Sequence, residues 1–269
     1  MALRHGARCM SLSPKDLEDL KYAIDLLENP SLGAKITSAI GFPIEKGLDL
    51  LPASWSETVN RLTRETLQKA LNFTLRTMDA RSIRPPSNLA HKIMAAASGA
   101  GGGAFGLAAL PVELPVSTMI ILHSIADIAR SEGERITSPE AKLACIEVFA
   151  LGGRSGSDDA AKTGYFQVRA ALAKAVSEAA QYIAERGLLE ESAPAIVRLL
   201  SQIASRFSVS VSQKAAAQMV PIVGAAGGAV VNLVFIDHFQ DVGRGHFIVR
   251  RLERCHGADE VRRAYDRLS

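Results

Sequence analysis

Residues 93–129 read IMAAASGAGGGAFGLAALPVELPVSTMIILHSIADIA, and the only charges along them are Glu113 and Asp127. Residues 215–236, AAAQMVPIVGAAGGAVVNLVFI, carry none. Both stretches are rich in glycine and alanine. The pairs Gly99/Gly103, Gly102/Gly106 and Gly224/Gly228 have the small-xxx-small spacing that lets helix axes approach closely. The two stretches are therefore expected to pack against each other at the centre of the molecule. Glu113 and Asn232 are then polar exceptions that need partners there. Glu113 is flanked by Leu110-Pro111 and Leu114-Pro115, which places it either at a solvent-facing kink or buried against a base such as arginine.

The sequence on either side reads as amphipathic helix. Ser13-Pro14 supplies an N-cap and first helical residue, with Asp16 at the capping-box position, and Leu17, Leu20, Ala23, Ile24 and Leu27 form its stripe. Residues 32–51 give a second helix, broken near Gly41-Phe42-Pro43. Residues 55–78 follow, with Val59, Leu62, Leu67, Leu71 and Leu75 inward. Residues 117–128 are helical, and Ser138-Pro139-Glu140 opens a helix that ends at Gly152-Gly153. Residues 160–186 and 192–207 continue the pattern. The alternation Phe207-Ser208-Val209-Ser210-Val211-Ser212 resembles a strand but stands alone, so it is read as a junction between helices. Residues 237–254 and 259–268 complete the set. Runs of β-branched residues do not alternate with the helices, which speaks against Rossmann-like and barrel folds. The expectation is an all-α protein, bundle-like around the two quiet segments. A loose tail over residues 1–12 precedes a single domain over residues 13–269.

Composition bounds the function. The chain has 269 residues, 48% hydrophobic and 22% charged, with a net charge of +3, enough for a sizeable core. Three cysteines without paired spacing indicate free thiols in a reducing compartment. The first residues lack an apolar run of signal-peptide length. Residues 101–106 satisfy GxGxxG, but no strand precedes them and Glu113 comes too early for the ribose-binding acid. Gly153-Arg154-Ser155-Gly156 is not a nucleophile elbow. The histidines show no metal-ligand spacing, so neither a metal nor a cofactor is expected. Nucleic acid is not an expected partner either, because no binding module is present.

A membrane is the open question. Residues 215–236 are long enough to cross the hydrocarbon layer, yet alanine and glycine are weakly hydrophobic, Pro221 and Asn232 interrupt them, and Glu113 is expensive at mid-bilayer. Helices buried in the protein body or lying at a membrane surface are the expectation, with insertion as the alternative. Glu113, His123, Asn232, Asp237, His238 and His246 form a candidate polar site. The competing structural reading has His246 lining the core edge, with Asp237 and His238 capping or salt-bridging. Arg244, Arg250, Arg251, Arg254, Arg262 and Arg263 form a surface suited to anionic lipid headgroups.

Several segments carry a family resemblance. They are Gly41-Phe42-Pro43-Ile44-Glu45, Glu113-Leu114-Pro115-Val116-Ser117-Thr118, Ile125-Ala126-Asp127-Ile128-Ala129, Gly164-Tyr165-Phe166 with Arg169, Arg206-Phe207 through Lys214, Gly227-Gly228 to Asn232, and His246-Phe247 with Arg250 and Leu252. In this order they resemble the EcsC family of bacterial proteins over roughly residues 15–255. The resemblance implies a largely helical fold, association with an ABC transporter encoded nearby, and contact with membranes. It implies no catalytic residue, and it leaves Glu113, Pro115, Asn232, Phe247 and Arg250 as structural or binding candidates. The leading expectation is a non-enzymatic accessory protein at the cytoplasmic face of a membrane or on a membrane transporter complex. A hydrolase built on Glu113, His123, Asp237 and His238, and a lipid or small-molecule carrier, are the alternatives.

Overall fold

A computed structural model describes residues 12–28, 31–52, 54–77, 110–153, 164–186, 193–219 and 224–269. The glycine-rich run of residues 93–109, the loop at 154–159 and Pro221 lie outside them. Ten helices and no strand are found among the described residues: α1 Pro14–Glu28, α2 Leu32–Ile40, α3 Ile44–Leu48, α4 Trp55–Thr77, α5 Leu110–Ser131, α6 Pro139–Leu151, α7 Gly164–Arg186, α8 Pro194–Gln218, α9 Gly224–His256 and α10 Ala258–Leu268. The fold is all-α.

Local chemistry sets many of the boundaries. Asp16 and Ser13 close a reciprocal box, the Asp16 amide donating to Ser13 Oγ at 3.2 Å and the Ser13 amide to Asp16 Oδ2 at 3.1 Å. Gly41, at φ 67°, ends α2 in the left-handed region. Ser138 Oγ accepts from the Ala141 amide and caps α6, with Pro139 at its first position.

Two boundaries differ from the sequence expectation. Helix α5 begins at Leu110 and runs through both prolines. Pro111 stands in the first turn, where a missing amide proton is harmless, and Pro115 forfeits one ladder bond within a helix whose inner face is fully buried. Helix α8 passes unbroken through the alternating residues 207–212. There Phe207, Ser208, Ser210 and Val211 are buried, so helical spacing rather than strand alternation decides.

The 33-residue α9 is the axis of the molecule, packed against α1, α2, α5, α6, α8 and α10. Helix α8 is the second hub, touching α2, α3, α4, α6, α7 and α9. Where α6, α8 and α9 meet, the rings of Phe149, Phe207, Phe235 and Phe239 form one cluster. Helix α6 is enclosed on every side, with each residue from Ala141 to Leu151 buried. Its terminal carbonyls are met from two neighbours. Arg206 Nε donates to Ala150 O at 3.1 Å, while Ser210 Oγ and His238 Nε2 reach Gly152 O at 3.3 and 2.8 Å. In this way the orphan groups of a buried helix end are satisfied.

Candidate functional site

The described parts of the two quiet stretches do meet, since α5 packs on α9 and the end of α8 packs on α9 as well. The polar exception on α5, Glu113, is satisfied by residues of α8. Lys214 continues the inward stripe Ile196, Leu199, Ile203, Phe207 and Val211, so the helix carries its ammonium into the core. It is 0% exposed and Glu113 is 5% exposed. Lys214 Nζ lies 2.7 Å from Glu113 Oε1, donates to Ser117 Oγ at 3.2 Å, and sits 4.9 Å from the centre of the Phe235 ring. Gln218, one turn further along α8, donates to Glu113 Oε2 at 2.7 Å. Each carboxylate oxygen therefore has its own partner. Burial lowers the Lys214 ammonium below its ordinary value, against the opposing pull of the Glu113 carboxylate. Of the two expectations for Glu113, a solvent-facing kink or burial against a base such as arginine, the structure has the second, and the base is a lysine. A lysine fits because a compact point charge can be surrounded by a carboxylate, a hydroxyl and a ring face.

The other sequence candidates lie apart from this junction. Asn232 is buried on α9. His123 is exposed, its Nδ1 2.8 Å from Met119 O and its ring 4.9 Å from that of Phe73. Asp237 lines a cleft with Lys35 and Asp241 on the α2 side, and His238 serves the end of α6. None of the described clefts gathers Glu113, His123, Asp237 and His238 together. His246 was expected at the core edge but is fully buried. Its Nδ1 is 3.0 Å from Tyr165 Oη. Arg169 can only donate and gives a hydrogen bond to the same hydroxyl, which leaves the tyrosine proton free for Nδ1. Burial, with Arg169 and Arg250 nearby, holds His246 well below its usual pKa and so neutral.

Most of the arginines read as a lipid-facing surface are engaged within the protein. Arg250 and Arg254 both pair with Glu134, Arg251 with Asp19 and Glu132, and Arg263 with Glu260. Arg262 stacks over Phe166 at 5.2 Å. Arg244 is half-buried near Glu132. Among the described residues no group of three or more His, Cys, Asp or Glu is placed to hold a metal ion.

Outside the core, α5 shows an apolar face. Val112 is 73% and Val116 45% exposed. Val116, with Pro115, Met119, Ile120 and Phe73 of α4, borders an open groove of about 660 Å³, with Lys69 and His123 at its rim. Helix α5 is the one described helix long and apolar enough to cross a membrane, and 61% of its most apolar window is buried in the protein.

The model of the EcsC protein family matches residues 4–252. The chain belongs to the EcsC family. That match spans both polar partners of the core junction, helices α1 to α8 and α9 as far as Leu252. Comparison with curated proteins and with solved structures gives no significant match.

Proposed function

We propose that this EcsC-family protein is a non-enzymatic accessory module that lies on the cytoplasmic face of a membrane, with the outer face of α5 seated in the lipid. The observation that carries this reading is the outward stripe of Val112, Pro115, Val116, Met119 and Ile120. It is apolar for its first two and a half turns and becomes polar at His123 and at the Asp127–Arg130 pair. Such a gradient suits a helix that dips its leading end into the acyl boundary and keeps its trailing end in water. Lys69 at the groove rim adds a positive charge at headgroup level. Crossing the bilayer is disfavoured, because Glu113 and Lys214 on the inner face of the same contact are matched to each other within the protein. The exposed free thiol of Cys255 agrees with a reducing compartment. Of the acids and bases considered for catalysis, Glu113 is paired with Lys214 and His238 serves the end of α6, and none of the described clefts gathers all four, which supports an accessory part rather than a catalytic one.

Co-sedimentation with phospholipid vesicles tests the reading. The wild-type chain should bind anionic vesicles, keep part of that binding at high salt, and be released by a carbonate wash. V112D/V116D alters two exposed positions and should abolish binding with the fold intact. R262E/R263E should change only the salt-sensitive fraction. Full binding by V112D/V116D, or no binding by the wild type, would reject the α5 face as a lipid contact.

A further inference from the structure

A second cleft, of about 560 Å³, opens between α6, α7 and α9. Glu147 of α6 lines it while only 5% exposed. Its carboxyl makes no hydrogen bond or ion pair with any described residue. A buried acid without a partner is costly, and this one faces a space of ligand size.

The charges around it select the ligand. Arg169 and Arg250 border the cleft, but both are already matched. Arg169 donates to the two oxygens of Glu253 at 2.8 and 3.0 Å, and Arg250 Nε donates to Glu134 at 2.8 Å. The neighbouring Arg251 and Arg254 are balanced in turn by Asp19, Glu132 and Glu134. The cleft carboxylates that form no ion pair with a described residue are Glu147 and Glu140, and Glu147 feels Arg169 and Arg250 only from beyond ion-pair distance. The site is therefore acidic, and it calls for a cation.

Its shape selects further. Glu140 and Glu147 are seven residues apart on one helix, about 10 Å along the axis, with Ala144 between them on the same wall. Across the cleft Ala173, Val176 and Ala180 of α7 form an aliphatic surface, and Ser177 and Gln181 stand beside them. An ammonium group at each end and methylenes between match this order of surfaces.

We propose that the α6–α7–α9 cleft binds a linear aliphatic di- or polyamine, one ammonium on the Glu147 carboxylate, a second at Glu140, and the methylene chain along Ala144, Ala173 and Val176. Burial pushes the Glu147 carboxyl above its usual range, and Arg169 and Arg250 oppose this only in part. A positive group delivered to Glu147 supplies the missing compensation. This site is independent of the α5 face.

Isothermal titration calorimetry of the full chain with spermidine tests it, with n-butylamine, inorganic phosphate and succinate as comparison probes. Wild type should bind one spermidine saturably and bind n-butylamine more weakly. E147Q should weaken spermidine at least about tenfold, the loss of one charge-assisted contact, and E140Q several-fold. E65Q, an exposed acid on α4, should change nothing. S177K, which places a tethered ammonium at the cleft, should compete with spermidine while leaving Glu147 in place, so the test stands even if E147Q folds poorly. Circular dichroism should show E147Q folded, with an unfolding midpoint no lower than that of wild type. Equal binding by wild type and E147Q, loss of binding in E65Q, tighter binding of phosphate or succinate than of spermidine, or no saturable amine binding would each overturn the proposal.

Discussion

Removing the charge of Lys214 while leaving that of Glu113 strands a carboxylate between Phe235 and the inner face of α5. K214M should therefore lower stability by about 3–5 kcal/mol, the cost of breaking a buried pair from one side. K214M/E113Q removes both charges and keeps a side chain that Gln218 can bond, so it should recover most of the loss. Urea unfolding followed by circular dichroism measures both, and a double variant as unstable as the single one would show that the pairing is not what matters. The lysine was legible in the sequence, for it stands seven residues after Phe207 on the inward stripe of its helix. A charge in that register must be paired. Treating residues 208–212 as a junction ended the register at Phe207 and hid it. Glu147 was obscured in a similar way. It follows Leu143 by one turn, but nothing in the spacing shows that the helix buries every residue from Ala141 to Leu151.

At the scale of helices, close approach is rationed among glycines. In α9 a Cβ on Gly245 would lie 2.9 Å from the Ala23 carbonyl oxygen and 2.7 Å from Leu27 Cγ, both on α1, whereas one on Gly243 would meet Ile125 at 3.4 Å. Two glycines in one helix should thus respond to alanine with opposite signs. G245A should destabilise by about 1–3 kcal/mol through overpacking, and G243A should stabilise by about 0.5–1 kcal/mol through the unfolded chain. Thermal unfolding of the two variants side by side decides it, and a shift of the same sign in both would refute the assignment of contacts. Helix starts were readable because caps are local chemistry, as at Ser13 with Asp16 and at Ser138 with Pro139. The course of α5 was not, because proline propensity is local while the burial of the helix's inner face that overrides it comes from α4, α6 and α9. Nor could the sequence reveal that Gly245 rather than Gly243 touches α1, since that depends on how the two helices cross.

For the molecule as a whole, the last helix is a clasp. Family similarity ends at residue 252, yet α10 buries Val261, Ala264 and Tyr265. Tyr265 stacks on Tyr165 at 5.8 Å and donates to Glu28 Oε1 at 2.7 Å. Deleting residues 257–269 should cost about 3–5 kcal/mol, as for loss of a large buried ring. It should also raise the pKa of His246, which burial holds well below the usual histidine range and whose cover includes Tyr165. Differential scanning calorimetry and histidine NMR on the truncated chain check the two effects, and an unchanged melting temperature would mean that α10 is an appendage. That the fold is all-α was readable from periodicity. Which helices hold which ends together was not, because such contacts join residues that share no pattern.

The docking of α1 on α9 joins the start of the chain to its far end. Asp19 of α1 pairs with Arg251 across 232 residues. A ribosome adding about 5–20 residues per second needs roughly 10–50 s to cover that interval. For that time the nascent α1 displays Leu20, Ala23, Ile24 and Leu27 with their native partner not yet synthesised. Helix α1 is thus made long before it can be housed, and its apolar stripe is a part of the newborn chain that needs a chaperone's shelter.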